Sequence, residues 1–288
     1  MIVVMEPQPT TPYRLVALDA DRPSRSTVRA GSGGIGPDTF TLIAGPCAIE
    51  TPEQVAAACE AAVAAGATAL RGDLFKHRTS PYDFQGLGAD GIEIIAEQRR
   101  RFALPWVAEV MSPAHLEVVA DVVDVVRVGT RNMANVELLK ECARSGKTVM
   151  LKRGFAATVD EWLLAAEYIA ANGTVDIVLC ERGIRTHEPA TRNTLDLSVV
   201  PLLQEKTHLP VVVDPSHGTG RRSLVAPMAL AAVVAGADGV MLDVHPWPEQ
   251  ARCDGPQALL PEALIRLGAQ LHELAAWTGR TTKQVVAA

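Results

Sequence analysis

The sequence predicts an α/β protein folded as a (β/α)8 TIM barrel with a short N-terminal extension, on three observations. The chain has 288 residues, and such a barrel uses about 250. Eight short apolar runs alternate with Ala-rich amphipathic segments from about residue 40 onward. The runs are too apolar for strands with one solvent-facing side, which indicates a parallel sheet covered by helices. An open doubly wound sheet is the main alternative, but no Gly-x-Gly-x-x-Gly turn follows the first run.

The elements follow in order along the chain. Residues 1–38 are predicted to be a partly flexible extension, and residues 39–288 the catalytic barrel. In the extension, YRLVALD (13–19) is a candidate short strand and GSGGIGPDT (31–39) a flexible hinge. The predicted barrel strands are TLIAG (41–45), ATALRG (67–72), PWVAEV (105–110), VVRVG (125–129), TVMLKRG (148–154), DIVLCERG (176–183), PVVVDP (210–215) and GVMLDVHP (239–246). The predicted helices cover about 52–65, 89–101, 113–121, 133–145, 158–171, 196–206, 221–235 and 257–277.

Local chemistry marks several helix boundaries. Thr51-Pro52 and Ser112-Pro113 each place a capping hydroxyl before a first-turn proline. Thr158 and Glu161 have the spacing of a capping box. Several of the predicted helices then end at a glycine, the residue that most readily adopts the left-handed conformation of a helix terminus.

Composition excludes several classes of protein. The net charge of −6 argues against broad binding to nucleic acid or membrane surfaces. The N-terminus lacks the pattern of a secretory signal, and no apolar run reaches the roughly 20 residues that span a bilayer. Five irregularly spaced cysteines indicate reduced thiols, and we expect Cys59, Cys142 and Cys180 to be small buried hydrophobes. A soluble cytoplasmic enzyme fits these features.

Metal-capable residues follow the first strand and the last two strands, which become neighbours when a barrel closes. They are Cys47, His217, Asp243 and Asp254. The active site of such a barrel lies at the carboxyl ends of its strands. A thiolate, an imidazole and two carboxylates suit Fe²⁺, Mn²⁺, Zn²⁺ or Co²⁺ better than Ca²⁺ or Mg²⁺. We therefore predict a divalent metal site here, with His217 in a Gly-flanked loop.

Cations follow the middle strands at the same end of the predicted barrel. They are Arg71, Lys76, Arg78, Arg131, Lys152 and Arg182. Their density predicts a doubly or triply anionic pair of substrates, because guanidinium forks suit phosphate and carboxylate. Lys152 has a second candidate role as the Schiff-base nucleophile of an aldolase, although the surrounding arginines favour anion binding.

Seven ordered segments carry a family resemblance. They are IAGPCAIE (43–50), LRGDLFKHRTSPYDFQGLG (70–88), VGTRNMANVELLK (128–140), LKRGFAATVDEWLLAAEYI (151–169), LCERGIRTHEPATRNTLDLS (179–198), PVVVDPSHGTGRR (210–222) and DVHPWPEQARCDGPQAL (243–259). Across about residues 40–265 the chain resembles type I 3-deoxy-D-arabino-heptulosonate 7-phosphate (DAHP) synthases, in the branch that shares its core with 3-deoxy-octulosonate 8-phosphate synthase. The resemblance implies metal-dependent condensation of phosphoenolpyruvate with erythrose 4-phosphate, releasing phosphate, as the first step of the shikimate pathway.

The resemblance also implies roles for single residues. Metal binding falls to Cys47, His217, Asp243 and Asp254. Arg131, Lys152 and Arg182, with backbone near Glu109, are expected to bind the phosphate of phosphoenolpyruvate. Arg71, Lys76 and Lys152 are expected to bind its carboxylate. Arg78 and Thr79 are expected to hold the phosphate of the aldose, and Asp214 to lie near the aldehyde. Candidate proton-transfer groups are Lys76, His217 and Glu109.

Three positions depart from the family pattern. Asp73 follows Arg71-Gly72 where the family has a second glycine, and His77 replaces a proline in Lys-Pro-Arg-Thr. Asp243 replaces a metal-binding glutamate, which shortens the reach by about 1.5 Å, the length of one carbon–carbon bond.

These departures leave two alternatives open, namely a relative that condenses phosphoenolpyruvate with a different aldehyde and a non-catalytic regulatory barrel. Residues 1–38 are too short for a full ferredoxin-like sensor, so we do not expect feedback control through a fused domain. The resemblance implies a homo-oligomer, either a dimer or a tetramer.

Overall fold

Eight parallel strands close into a barrel in the computed structural model, which describes residues 12–282. The strands are β1 (Val28–Ala30), β2 (Gly33–Ile35), β3 (Thr41–Gly45), β4 (Ala69–Arg71), β5 (Trp106–Val110), β6 (Val125–Val128), β7 (Thr148–Lys152), β8 (Ile177–Glu181), β9 (Val211–Val213) and β10 (Gly239–Asp243). The helices are α1 (Pro52–Ala64), α2 (Ile92–Phe102), α3 (Pro113–Val119), α4 (Val136–Arg144), α5 (Val159–Ala170), α6 (Val199–Lys206), α7 (Pro215–Thr219), α8 (Arg222–Val234) and α9 (Pro261–Trp277). The strand order β10-β3-β4-β5-β6-β7-β8-β9 confirms the predicted (β/α)8 barrel.

The three predicted helix caps are confirmed. The side chain of Thr51 accepts from the N–H of Gln54, and that of Ser112 accepts from the N–H of His115. Thr158 forms the predicted capping box at the start of α5. These caps satisfy backbone donors that the first helical turn leaves without partners.

The N-terminal extension differs from the prediction in its detail. The candidate strand at 13–19 is wrong, since this segment forms only an isolated bridge between Ala17 and Thr207. Part of the predicted hinge at 31–39 is instead strand β2, which pairs with β1 as an antiparallel hairpin. Val28, Ala30 and Ile35 of this hairpin pack against apolar side chains inside the barrel, at the end opposite the strand carboxyl termini.

The barrel interior positions the site. One apolar side chain from each strand forms an inner cluster, namely Ile43, Ala69, Val107, Val125, Met150, Val178, Val212 and Met241. Because strand side chains alternate between faces, the residues two positions later also point inward, one layer nearer the carboxyl ends. Six of these eight positions carry Arg, Lys, Asp or Glu side chains, which are Arg71, Glu109, Arg127, Lys152, Asp214 and Asp243. The alternation that builds the apolar core therefore also builds a charged layer above it.

Cys59, Cys142 and Cys180 are buried free thiols, as predicted. Burial raises the pKa of each to about 12. Within residues 12–282, no helix has both the length and the apolarity needed to cross a membrane.

Candidate active site and metal centre

A cleft of about 140 Å³ opens at the carboxyl ends of the barrel strands. Its cationic lining residues are Lys76, Arg78, Arg127, Arg131, Lys152, Arg182 and Arg192. His217, Cys253 and Asp254 line it as well, so cations and metal-capable groups face one space. A larger cavity of about 710 Å³ lies at the opposite end of the barrel beside the β1–β2 turn. Its lining includes none of the predicted site residues.

The four predicted metal ligands come together. One donor atom from each of Cys47, His217, Asp243 and Asp254 lies within 4.8 Å of the others. His217 is on the short helix α7 rather than in the predicted loop, and its Nε2 lies 3.6 Å from Cys47 Sγ and 3.4 Å from Asp254 Oδ2. Asp254 has φ of 56°, a left-handed conformation uncommon outside glycine, and its carboxylate lies in the cluster.

The donor chemistry of this cluster fits a divalent transition metal. The neighbouring Cys253 thiol and burial raise the pKa of Cys47 well above its usual range. A coordinated metal is the agent that holds such a thiol as the thiolate. Burial opposes the charged form of His217, but Asp214 and Asp243 outweigh it and raise its pKa to about 10. A metal would replace this proton on Nε2 and use the same ring orientation.

Asp214 contacts both His217 of the candidate metal site and Lys152 of the charged layer. Its Oδ1 accepts from the N–H of His217, and its Oδ2 lies 2.8 Å from His217 Nδ1. The same Oδ2 accepts from Lys152 Nζ at 2.5 Å. The Asp214 side chain is fully buried, so its contacts fix the imidazole and the ammonium group in place. A carboxylate behind a metal-binding histidine orients the ring and raises its basicity.

Asp73 gathers four donors beneath the cleft. Its Oδ2 accepts from Lys76 at 2.8 Å and Arg127 at 2.5 Å, and it lies 3.3 Å from Arg71. Its Oδ1 accepts from the N–H of Glu109 at 2.9 Å. Burial alone would raise the pKa of Asp73, but Arg127, Lys76 and Arg71 outweigh it and hold that pKa well below its usual range. Asp73 is therefore an ionised carboxylate at the centre of the charged layer.

Arg127 is a site residue that the sequence analysis missed. It lies between Asp73 and Glu109, whose Oε2 is 3.2 Å from Arg127 Nη1. The sequence feature that could have identified Arg127 is its position as the one charged residue in an otherwise apolar predicted strand, VVRVG (125–129). Arg71, in contrast, was predicted but does not line the cleft, because Asp73, Asp243 and the Cys47 carbonyl hold its guanidinium beneath the surface.

Arg131 and Arg182 form a second cationic face around Phe155. Their guanidinium carbons lie 5.4 and 5.0 Å from the centre of the Phe155 ring. Arg131 donates to Thr79 Oγ1 and to the carbonyl of His77, and Arg182 donates to the carbonyl of Gly183. Burial lowers the pKa of Arg131, and it lowers that of Arg182 to about 10. These two cations face the cleft with neutral oxygens as partners, which suits them to an incoming anion.

Arg78 lies at the outer rim of the cleft. Its Nη1 donates to the carbonyls of Phe84 and Arg252, and its Nη2 lies 3.3 Å from Asp83 Oδ2. The predicted pair of Arg78 and Thr79 thus lies beside Arg131, at the mouth rather than in the deep layer. His77 is exposed and contributes its backbone carbonyl to this rim.

Comparison with known proteins identifies the family of this chain. A phospho-2-dehydro-3-deoxyheptonate aldolase of Thermotoga maritima is 44% identical over 264 residues, which cover 92% of this chain and 78% of that protein. A 2-dehydro-3-deoxyphosphooctonate aldolase of Nitratidesulfovibrio vulgaris is 34% identical over 253 residues, covering 82% of this chain and 90% of that protein. The crystal structure of the Thermotoga maritima DAHP synthase superposes with a TM-score of 0.91 at 42% identity, covering 96% of this chain and 81% of that one. The sequence pattern of the DAHP synthetase I family matches residues 21–279, and the chain belongs to this family.

Proposed function

We propose that this enzyme condenses phosphoenolpyruvate with erythrose 4-phosphate and releases inorganic phosphate, as a 3-deoxy-7-phosphoheptulonate synthase of the shikimate pathway. One observation carries the proposal: a cleft lined by seven Arg and Lys residues lies against a Cys–His–Asp cluster at the mouth of a closed barrel. Two anionic substrates repel each other in water, and convergent cations remove that barrier while aligning the reacting carbons.

The substrates divide the cleft between them. Arg131, Arg182 and Lys152 are placed to bind the phosphate of phosphoenolpyruvate, and Lys76 with Arg127 its carboxylate. Arg71 supports this second subsite from beneath through Asp73. Arg78 and Thr79 at the rim are placed to hold the phosphate of the aldose, which directs its aldehyde toward His217 and Asp254.

The bond changes define what the protein groups must do. Carbon 3 of phosphoenolpyruvate attacks the aldehyde carbon, water adds at carbon 2, and phosphate leaves. A divalent metal held by the cluster supplies Lewis-acid polarisation of the aldehyde. Lys76 lines the cleft beside that cluster, with Nζ 3.2 Å from Cys47 Sγ, and it is our candidate for delivering a proton to the new alkoxide. Glu109 is placed to take a proton from the attacking water.

An assay of phosphate release with a panel of aldehydes tests this assignment. We expect phosphoenolpyruvate and erythrose 4-phosphate together to release phosphate, with negligible release when either is omitted. Turnover with another aldehyde and none with erythrose 4-phosphate would overturn the assignment of the aldose.

The second candidate function is condensation of phosphoenolpyruvate with a different aldehyde. The contacts of Arg78 at the rim of the cleft favour it. Arg78 already has Asp83 and two carbonyls as partners, which leaves it less available to an aldose phosphate. The same panel separates the two functions by the ratio of kcat/KM for each aldehyde to that for erythrose 4-phosphate.

Lys152 favours anion binding over Schiff-base chemistry. Burial lowers the pKa of Lys152, but Asp214 opposes this from 2.5 Å away and gives the charged ammonium group a fixed partner. Borohydride treatment with a keto acid should therefore leave the mass of the protein unchanged. We further propose a cytoplasmic homo-oligomer, dimeric or tetrameric, which light scattering of the purified protein tests.

A further inference from the structure

The two carboxylates of the candidate metal site lie on one closed loop, residues 243–259. Asp243 ends β10, and Asp254 follows within the loop. The N–H of Leu259 donates to the carbonyl of Asp243 at 2.9 Å, and the N–H of His245 donates to the carbonyl of Leu259 at 3.0 Å. These bonds close the loop at its base. A side chain that joins the two halves of the loop can therefore set how the two carboxylates face each other.

Gln257 joins the two halves of this loop. Its side chain is 1% exposed, and its Nε2 donates to Asp243 Oδ2 at 2.6 Å. Its backbone N–H donates to the carbonyl of Asp254 at 3.2 Å. Gln257 lies beneath the residues that line the cleft and is not one of them. Any effect that it has on the reaction must therefore pass through the residues that it contacts.

Arg192 fixes the orientation of the Gln257 amide. Its Nη1 donates to Gln257 Oε1 and to Asp254 Oδ1, each at 2.9 Å. Because a guanidinium group only donates, the side-chain oxygen of Gln257 has to face it, and the amide nitrogen then faces Asp243. The same guanidinium leaves Asp254 Oδ2 facing Cys47 Sγ, 3.2 Å away. The contacts of Arg192 and Gln257 thus restrain both carboxylates from the side away from the other metal-capable groups.

A neutral amide suits this position because it orients a carboxylate without removing its charge. Asp243 Oδ1 already accepts from Arg71 Nη1. A second cation, at Oδ2, would offset the remaining negative charge that attracts a metal ion. A carboxylate oxygen has two lone pairs, so Asp243 can accept from Gln257 and still bind an ion.

We propose that Gln257 is a positioning residue of the metal site: its amide, oriented by Arg192, holds the Asp243 carboxylate where that carboxylate reaches the ion. The inference rests on the proposed function only in taking the cluster of four donors described above as a metal site. Replacing a hydrogen-bond partner of a metal ligand typically lowers metal affinity by about 10- to 100-fold. We expect an effect of that size from Gln257.

Cobalt binding to the metal-stripped full-length protein tests the proposal without turnover. A titration followed by the visible absorption of bound cobalt gives the Kd. Q257M keeps a side chain of similar volume but loses both side-chain hydrogen bonds, and it should raise the cobalt Kd by about 10- to 100-fold. Q257A should raise it by a similar factor. Q98A is the matched control with an unchanged Kd, because Gln98 is also buried but lies on α2, outside the cleft lining.

A double-mutant cycle with D243A separates positioning from a general structural role. If Gln257 acts through Asp243, Q257M should raise the cobalt Kd by about threefold or less in a protein that already carries D243A. A general structural role predicts the same fold-change with and without D243A. Thermal unfolding of the metal-free variants confirms that each is folded.

A crystal structure of the cobalt-loaded wild-type protein gives an independent check. We expect Gln257 Nε2 to lie within about 3.2 Å of the Asp243 carboxylate, with that carboxylate bound to the ion. An unchanged Kd in Q257M and Q257A, equal effects with and without D243A, or an amide turned away from Asp243 would overturn the role of Gln257 and leave the proposed function standing. A wild-type protein that binds no cobalt would overturn both.

Discussion

Arg127 Nη2 lies 2.5 Å from Asp73 Oδ2, in a fully buried pair beneath the substrate cleft. Both partners are charged, and the Asp73 carboxylate also serves Lys76 and Arg71. Removing one member of a buried ion pair costs about 3–5 kcal/mol, because it leaves the other charge uncompensated. We therefore expect the pair to contribute to the folding stability of the protein.

We expect D73N to lower the free energy of unfolding by about 3–5 kcal/mol, and R127Q to lower it by a similar amount. The double variant D73N/R127Q should lose less than the sum, by about 1–3 kcal/mol, because the two charges are removed together. Urea unfolding of the four proteins measures this coupling. Additivity to within about 0.5 kcal/mol would contradict a direct pair.

The pH dependence of the same stability difference gives a second prediction. The pKa of Asp73 is held well below the usual 3.8, so its stabilisation is complete above that value and declines as the pH falls toward the depressed pKa. The difference between wild type and D73N should be constant from neutral pH to about pH 5, and it should shrink below about pH 4. A difference that already declines near neutral pH would point to another group.

Arg131 and Arg182 face the cleft without a carboxylate partner, so they should matter for substrate binding more than for stability. R131A and R182A should each raise the KM for phosphoenolpyruvate by about ten- to a hundredfold, the value of a hydrogen bond to a charged group. R185A is the matched control, because Arg185 also contacts Phe155 but is exposed and lies outside the cleft lining. Steady-state kinetics in which all three variants behave alike would argue against this phosphate subsite.

Asp83 lies 3.3 Å from Arg78, so it should compete with the substrate phosphate that we propose Arg78 binds. D83N should lower the KM for erythrose 4-phosphate by about two- to fivefold, because partly exposed ion pairs contribute about 0.2–1 kcal/mol. The KM for phosphoenolpyruvate should not change. D90N, which removes an exposed carboxylate outside the cleft lining, is the control for net charge. An unchanged KM for the aldose in D83N would place its phosphate elsewhere.

The sequence predicted the barrel, because eight apolar runs with helices between them leave few other arrangements. It also predicted that Cys47, His217, Asp243 and Asp254 converge, since they lie at the carboxyl ends of strands that become neighbours on closure. The sequence did not predict Arg127 as a site residue, because that depends on which face of its strand points into the barrel. It did not predict the contacts of Asp73 with Arg127, Lys76 and Arg71, because these depend on how far each side chain reaches. The sequence did not predict the β1–β2 hairpin at the opposite end of the barrel, because each of its strands has three residues and little hydrophobic periodicity.

The most direct test of the central claim is product formation by the purified protein with and without metal. Metal-stripped protein is mixed with phosphoenolpyruvate and erythrose 4-phosphate, and the seven-carbon keto acid phosphate is measured by mass spectrometry alongside free phosphate. We predict no product after chelation and restored formation on adding Mn²⁺ or Co²⁺, with equal amounts of product and phosphate. Full turnover by the metal-free protein, or no product with any divalent metal, would contradict the account.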